Sequence, residues 1–316
     1  MTFKKGFFGL VVVVLSGCHT PNQKPEPLVV RMSMTGLGRL TTQFAEVLQK
    51  TLPEHFPARI EVQKAANSGA FPQMIESRAT DLALIQTDLA YVAYTQGLGQ
   101  TPQPMRKLRA LAVLYTTPLH LLATKQSGIR SLTDLRKKRV SLGPSDGATA
   151  FTAKMVLESL GVTLSAIEAR DTNDRALVGA LGNNELDAVF YRGNDPYPLI
   201  QEMMDVPGVS FIPISRGDIE TIRAHHAFLH STSIPGRMYG DHPEIETIGG
   251  DILLACRADL PDELIYWITR ILFESLPTLA DSFPALRQID IEHVQATTLP
   301  LHPGAARFYR YRELFP

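Results

Sequence analysis

From residue 28 onward, short continuous apolar runs alternate with longer stretches in which apolar residues recur every three or four positions. Runs of the first kind predict strands buried on both faces, and stretches of the second kind predict amphipathic helices. Residues 29–34, 60–63 and 81–85 read as strands, with helices over 37–52, 71–78 and 89–94 and a further extended apolar run at 108–115. A second unit of the same kind begins near Pro118, with strands over 139–142, 186–191 and 209–214 and helices near 148–160 and 173–182. In the first of these helices Lys154 and Glu158 lie four apart on one edge, beside an apolar stripe of Ala148, Phe151 and Met155. The last third adds a strand over 251–256 and a helix opened by Pro261-Asp262-Glu263, where proline and acids suit the first turn. Along that helix Leu264, Trp267, Ile268, Ile271 and Leu272 share one face, which predicts burial.

This rhythm predicts an α/β protein of two lobes, each a mostly parallel sheet flanked by helices. One lobe is expected over 28–117 together with 215–316, and the other over 118–214, with a cleft between them. In open parallel sheets ligands sit beyond the carboxyl ends of the strands, so candidate chemistry belongs in the βα turns.

The N-terminus breaks the pattern. Lys4 and Lys5 precede the apolar run 6–15, followed by Ser16-Gly17-Cys18, which has the charge and length of a secretory signal. The run is too short for a bilayer core of about 30 Å, which needs about 20 apolar residues. Leu15-Ser16-Gly17-Cys18 resembles the bacterial lipobox, which makes 1–17 the signal peptide and Cys18 the lipidated first residue of the mature chain. Acyl chains such as palmitate on Cys18 then anchor the protein, since each buried CH₂ contributes about 0.8 kcal/mol. An ordinary secretory signal with an incidental cysteine would leave the same pattern. Residues 18–27, with Pro21, Pro25 and Pro27 among polar side chains, read as a tether. These features place the protein in the bacterial cell envelope on the periplasmic side, with the choice between inner and outer membrane open. Cys256, in an apolar strand pattern, is expected to be buried and inert.

Composition narrows the function classes. With 31 Lys+Arg against 32 Asp+Glu and a net charge of −1, the chain lacks the overall basic balance expected of a nucleic-acid-binding protein. With 44% hydrophobic and 20% charged residues it is an ordinary globular chain, and its two cysteines make neither a disulfide scaffold nor a zinc site.

Four βα turns carry candidate chemistry. In the first, Thr35-Gly36-Leu37-Gly38-Arg39, the glycines let backbone approach a ligand, the following helix offers unpaired N–H groups to an anion, and Arg39 can clamp a carboxylate. A plain tight turn and a solvated arginine explain the same residues. The G-x-G-x-x-G spacing is absent, so no dinucleotide cofactor is expected. In the second turn Ser68 either donates to a ligand or caps the next helix. In the third, Gln86 suits an amide or carboxylate, while Thr87 or Asp88 caps the helix that follows. The fourth, Gly143-Pro144-Ser145-Asp146-Gly147, matches the nucleophile-elbow pattern G-x-S-x-G. No oxyanion loop precedes it, and the continuation Gly147-Ala148-Thr149 suits a helix N-terminus receiving an anion, with Ser145 and Thr149 as hydroxyl donors. Binding is therefore favoured over hydrolysis. His226 and His230 lie four apart on an expected helix, a spacing that can hold zinc, but no third ligand accompanies them and no metal is assigned.

With these residues in view, residues 28–312 resemble the TAXI family of solute-binding proteins, the extracytoplasmic receptors of one class of TRAP transporter. The resemblance rests on Ala66-Asn-Ser-Gly69, Asp81-Leu-Ala-Leu-Ile-Gln-Thr-Asp88, Leu108-Arg-Ala-Leu-Ala-Val-Leu-Tyr115 and Arg139-Val-Ser-Leu-Gly143 with the 145–149 turn. It continues through Ile234-Pro-Gly-Arg-Met-Tyr-Gly240 and Leu299-Pro-Leu-His-Pro-Gly-Ala305, followed by Phe308-Tyr309. It departs from the family in the first turn, which here carries no tyrosine.

The resemblance implies a periplasmic-binding-protein-like fold of type II. It also implies a non-catalytic receptor for a small carboxylate-bearing solute, glutamate-like or a dicarboxylate. The ligand groups it implies are Thr35, Gly36, Ser68, Gln86, Tyr115, Ser145, Thr149 and Tyr191; His302-Pro303-Gly304 is expected to fix the C-terminal helix. Helix N-termini at Gly36 and Gly147 receive the anion, the lobes close about strands near 115–123 and Ile214, and TRAP-type permease subunits read the closed form. The same closure could instead signal to a sensor kinase. Two rival roles for the chain are an exported serine hydrolase using Ser145 and a purely structural envelope lipoprotein.

Overall fold

The computed structural model describes residues 26–35, 39–99, 103–193, 197–289 and 297–314. Cys18, Gly36 and the signal segment lie outside the described residues.

The first lobe opens with β1 (Leu28–Met34), α1 (Arg39–Thr51), β2 (Ala58–Lys64), α2 (Phe71–Glu76), β3 (Leu82–Gln86) and α3 (Thr87–Thr95). The long strand β4 (Leu108–Thr124) then leads into β5 (Arg139–Ser141), α4 (Ala148–Ser159), β6 (Glu168–Arg170), α5 (Asp174–Gly182) and β7 (Ala188–Arg192). The chain continues through α6 (Pro198–Met204), β8 (Val209–Phe211), α7 (Arg216–His225) and β9 (His230–Ile234). It ends with a second long strand, β10 (Ile245–Arg257), and the helices α8 (Asp262–Ser282) and α9 (Pro303–Leu314).

The sheet order is β2-β1-β3-β10-β4-β7-β5-β6, with β8 added to β4 and β9 to β10. Pairing is parallel within each βα unit, β1 with β2 and β3, and β5 with β6 and β7. It is antiparallel wherever β4 or β10 takes part. These two strands belong to both lobes. The end of β10 from Ile252 to Cys256 lies on β3, while its start from Ile245 to Gly249 lies on β9. Likewise β4 pairs β10 over most of its length and then β7 from Leu119 to Ala123.

The α/β architecture follows the apolar pattern, but the lobe division does not fall where that pattern suggests. Ile219 and Ile222 of α7, Leu229 and Ile248 pack in one core with Ala150, Val156 and Phe190. Ile234 and Ile245 pack with Val189 and Phe211. Residues 215–250, expected in the first lobe, therefore bury their apolar faces in the second. The return crossing is not near Ile214, which is buried in that core, but in the middle of β10. α7 ends at His225 and His230 opens β9, so His226 and His230 share no helix face and the expected i, i+4 pair does not exist.

The stripe on α8 packs as the periodicity demands. Leu264, Ile265, Ile268, Ile271 and Leu272 are buried against α1 and α9 residues in the first-lobe core, each contributing about 1.5–3 kcal/mol. Trp267 at the edge of the stripe stacks on His55, with ring centroids 4.1 Å apart. Cys256 is buried in the same core, and burial holds its thiol well above the ordinary value, as its strand pattern suggests. His302 is buried at the start of α9, where its Nδ1 accepts the Gly304 N–H at 3.2 Å.

Candidate functional site

The carboxyl ends of β3, β5 and β7 bring polar residues of both lobes together over the crossing strands. β3 runs directly into α3, whose cap residue Gln86 makes no side-chain capping bond. Contrary to the sequence expectation, neither Thr87 nor Asp88 caps this helix. The Thr87 hydroxyl donates to the Asp251 carbonyl at 2.8 Å, which ties α3 to β10. Asp88 reaches across to the other lobe, where its carboxylate accepts from Arg192 Nη1 at 3.0 and 2.9 Å and from the Thr152 hydroxyl on α4.

Arg192 is fixed from three sides. Its Nε donates to Thr117 Oγ1 at 2.9 Å, and Thr117 in turn donates to the Gly250 carbonyl at 3.1 Å. Its Nη1 also lies 3.2 Å from Gln86 Oε1. Both side chains of the Asp88–Arg192 pair are wholly shielded from solvent. Such a pair overcomes its desolvation cost only when geometry is good and the remaining polar atoms find partners.

The rim of this centre closes on itself. Asn67, rather than Ser68, caps the turn at Ser68–Ala70 by accepting the Ala70 N–H, and its Nδ2 donates to Asp146 Oδ2 of the other lobe at 2.8 Å. The backbone approach is close enough that a Cβ at Gly69 would lie 2.0 Å from the Asp146 carbonyl oxygen. Ala148 and Phe151 of α4 pack among first-lobe residues Phe71, Leu89 and Ala90, and Tyr91 meets Phe228 at 5.2 Å. The two lobes are thus shut on one another. At the crossing, Thr116 Oγ1 donates to Asp251 Oδ1 at 2.8 Å and lies 3.0 Å from His230 Nε2.

The sequence-predicted groups fall in three places. Gln86 is buried in the interlobe centre; Ser68, Thr149 and Thr35 are half-buried at strand or helix ends, and Gly147 starts α4 with no side-chain cap. Arg39 opens α1, with its side chain outside the described residues. Ser145 is exposed, its N–H donating to Asp171 Oδ2 at 3.3 Å, and among the described residues its hydroxyl meets no histidine. Tyr115 packs in the first-lobe core, its ring 5.2 Å from Phe283. Tyr191 lies on the far face of β7, its hydroxyl donating to Asp174 Oδ2 at 3.3 Å and its ring 5.2 Å from Tyr197. Burial raises the Asp174 carboxyl and the Tyr191 phenol above their ordinary values.

Four residues of the centre escape the sequence pattern: Asp88 as an ion-pair partner, Thr117, Thr152 and Arg192. The alternation along β7 holds the missing signal, since the face opposite Tyr191 must be presented by Phe190 and Arg192. Among the described residues no group of three His, Cys, Asp or Glu could hold a metal ion, and no helix is long and apolar enough to cross a membrane.

The sequence profile of the NMT1-like family matches residues 39–312. Among solved structures, the fold is similar to that of a Xanthomonas citri protein bound to ATP, at 11% identity and a TM-score of 0.55, covering 90% of this chain and 95% of that one. PhnD1 from Prochlorococcus marinus, in complex with methylphosphonate, matches at 12% identity and a TM-score of 0.51 over 83% of this chain and 92% of its own. The periplasmic aliphatic sulphonate binding protein SsuA from Escherichia coli matches at 12% identity and a TM-score of 0.47, over 92% of each chain. This chain shares its α/β fold with the Xanthomonas citri protein and with PhnD1.

Proposed function

Because this chain belongs to the NMT1-like family, we propose that it is an extracytoplasmic receptor that closes on a small solute between its lobes and delivers it to a membrane transporter. The observation that carries this reading is the meeting of βα turns from both lobes over two shared strands, with Gln86 and Asp88 of one lobe bonded to Thr152 and Arg192 of the other. A centre built half from each lobe is complete only when they are together, so whatever binds there differs in affinity between open and closed forms. That difference is what a partner can read.

The solute carries a carboxylate or a comparable oxyanion. Thr35, Gly36, Arg39, Ser68, Gln86, Ser145, Gly147 and Thr149 are the groups we assign to it. The uncapped start of α4 supports this assignment, because its first N–H groups have no side-chain acceptor. Tyr115 and Tyr191 are left out of this set, since their rings pack on Phe283 and Tyr197. A TRAP-type permease is the partner that the TAXI resemblance implies. Metabolic labelling with an alkynyl fatty acid tests the anchor, with Cys18→Ala expected to abolish it.

Calorimetric titration of the purified protein against amino acids, dicarboxylates and sulfonates tests the central reading. Saturable binding accompanied by a change in X-ray scattering is expected, and a folded protein that binds none of them contradicts it. A sensor role is separated by pull-down, which would recover a histidine kinase in place of permease subunits.

A further inference from the structure

We propose that Arg192 is the solute-contacting cation of the cleft, its Nη2 donating to one singly charged oxyanion of the solute; this rests on the solute-binding reading above. A guanidinium offers five N–H donors in a rigid planar fork. Here Nε is held by Thr117 and Nη1 by Asp88, which fixes the plane and direction of the whole group. Nη2 is buried and meets no acceptor among the described residues. Buried donors of folded proteins are paired almost without exception, and a charged one left alone is costly. The acceptor that Nη2 lacks among the described residues is, on this proposal, supplied by the solute.

Beside Nη2 stands Gly250, where a Cβ would lie 2.6 Å from Nη2 and 3.1 Å from Leu229 Cδ2. A side chain at that position would press on Nη2, so Gly250 is what allows the guanidinium its present place.

Charge then limits what can bind. Arg192 and Asp88 cancel, and Asp88 lies in the first turn of α3, a helix start that carries roughly +0.5 of a charge. The buried group as a whole is left with about half a positive charge, which suits one carboxylate or sulfonate better than a dianion. Asp146 and Asp251 lie outside this shielded group, on the exposed rim and at the partly exposed crossing.

The test uses the purified protein with bromide as a singly charged probe, located by anomalous scattering in crystals grown in sodium bromide. A peak within hydrogen-bonding distance of Nη2 is expected. It should vanish in Gly250→Ala, which keeps both charges and so answers the question even if Arg192 variants fail to fold. In parallel, propionate, methanesulfonate and succinate are titrated into wild-type protein and Arg192→Gln. At least a tenfold loss of affinity is expected in the variant, with succinate gaining nothing over the monoanions. A solute that binds both proteins within twofold overturns the role of Arg192 while leaving the receptor reading intact. Bromide bound only at other surfaces, an adventitious ion only, likewise overturns it. Bromide at Nη2 without binding of any organic anion keeps the subsite and removes the proposed solute class. Failure of every probe removes both.

Discussion

Asp88 and Arg192 stand 104 positions apart in the chain, one in each lobe, and meet as an ion pair with neither side chain exposed. Removing one member leaves the other charged and shielded from water, the costly case for buried pairs. Asp88→Asn is expected to lower stability by about 3–5 kcal/mol in urea denaturation and to enlarge the protein in X-ray scattering. Replacing both, as Asp88→Leu with Arg192→Met, should restore most of that loss, because no charge is then stranded.

Gly69 tests closure without touching charge. A methyl there would lie 2.0 Å from the backbone oxygen of Asp146, a contact that only separation of the lobes relieves. Gly69→Ala should hold the protein open in scattering experiments and weaken solute binding. The melting temperature should fall by only a few degrees, because each lobe has its own apolar cores. A variant as compact as wild type would show that the contact yields locally instead.

Asp81 anchors the first lobe. Its buried carboxylate accepts the Arg31 backbone N–H at 2.8 Å and the Arg31 guanidinium at 3.0 and 3.1 Å, with Arg257 at 3.3 Å. Asp81→Asn keeps the shape but takes the counter-charge from Arg31, while Arg257 keeps Asp259 at 2.5 Å. A loss of about 3 kcal/mol is expected, measured by chemical denaturation.

His302 gives the fold a sensitivity to acid. Burial pushes its imidazole below the ordinary histidine value, opposed by Asp262 at 3.8 Å and reinforced by Arg109. Only the neutral ring can accept the Gly304 N–H on Nδ1. The unfolded chain therefore binds this proton more readily than the folded one. The contribution of His302 is complete above the unfolded value of about 6.5 and is lost as pH falls through the lower folded one. Melting temperatures from pH 7.5 to 5 should decline in wild type and flatten in His302→Gln over that interval.

Much of this architecture can be read from the apolar pattern alone, and the exceptions share a cause. The α8 stripe and buried Cys256 follow from local periodicity, because one element decides which face goes inward. Asp88 reads as a helix cap because acids are favoured in a first turn, and nothing local shows an arginine from the other lobe. At β7 the choice between Tyr191 and Arg192 depends on which face α4 covers, and a shift of one residue reverses the answer. The lobe boundary fails for the same reason. β10 is one continuous strand whose start lies on β9 and whose end lies on β3, and only those pairings distinguish its two ends.

The two halves are joined by a ribbon, β4 laid antiparallel against β10, with adjacent glycines at 249 and 250 where it crosses. A paired ribbon can flex out of its own plane with every rung intact, whereas sliding or twisting one rail past the other breaks rungs. Under the receptor reading, opening follows that one soft direction, and closure returns the guanidinium of one half to the same carboxylate of the other. The accuracy of the bite resides in the jaw's joint and not in the teeth.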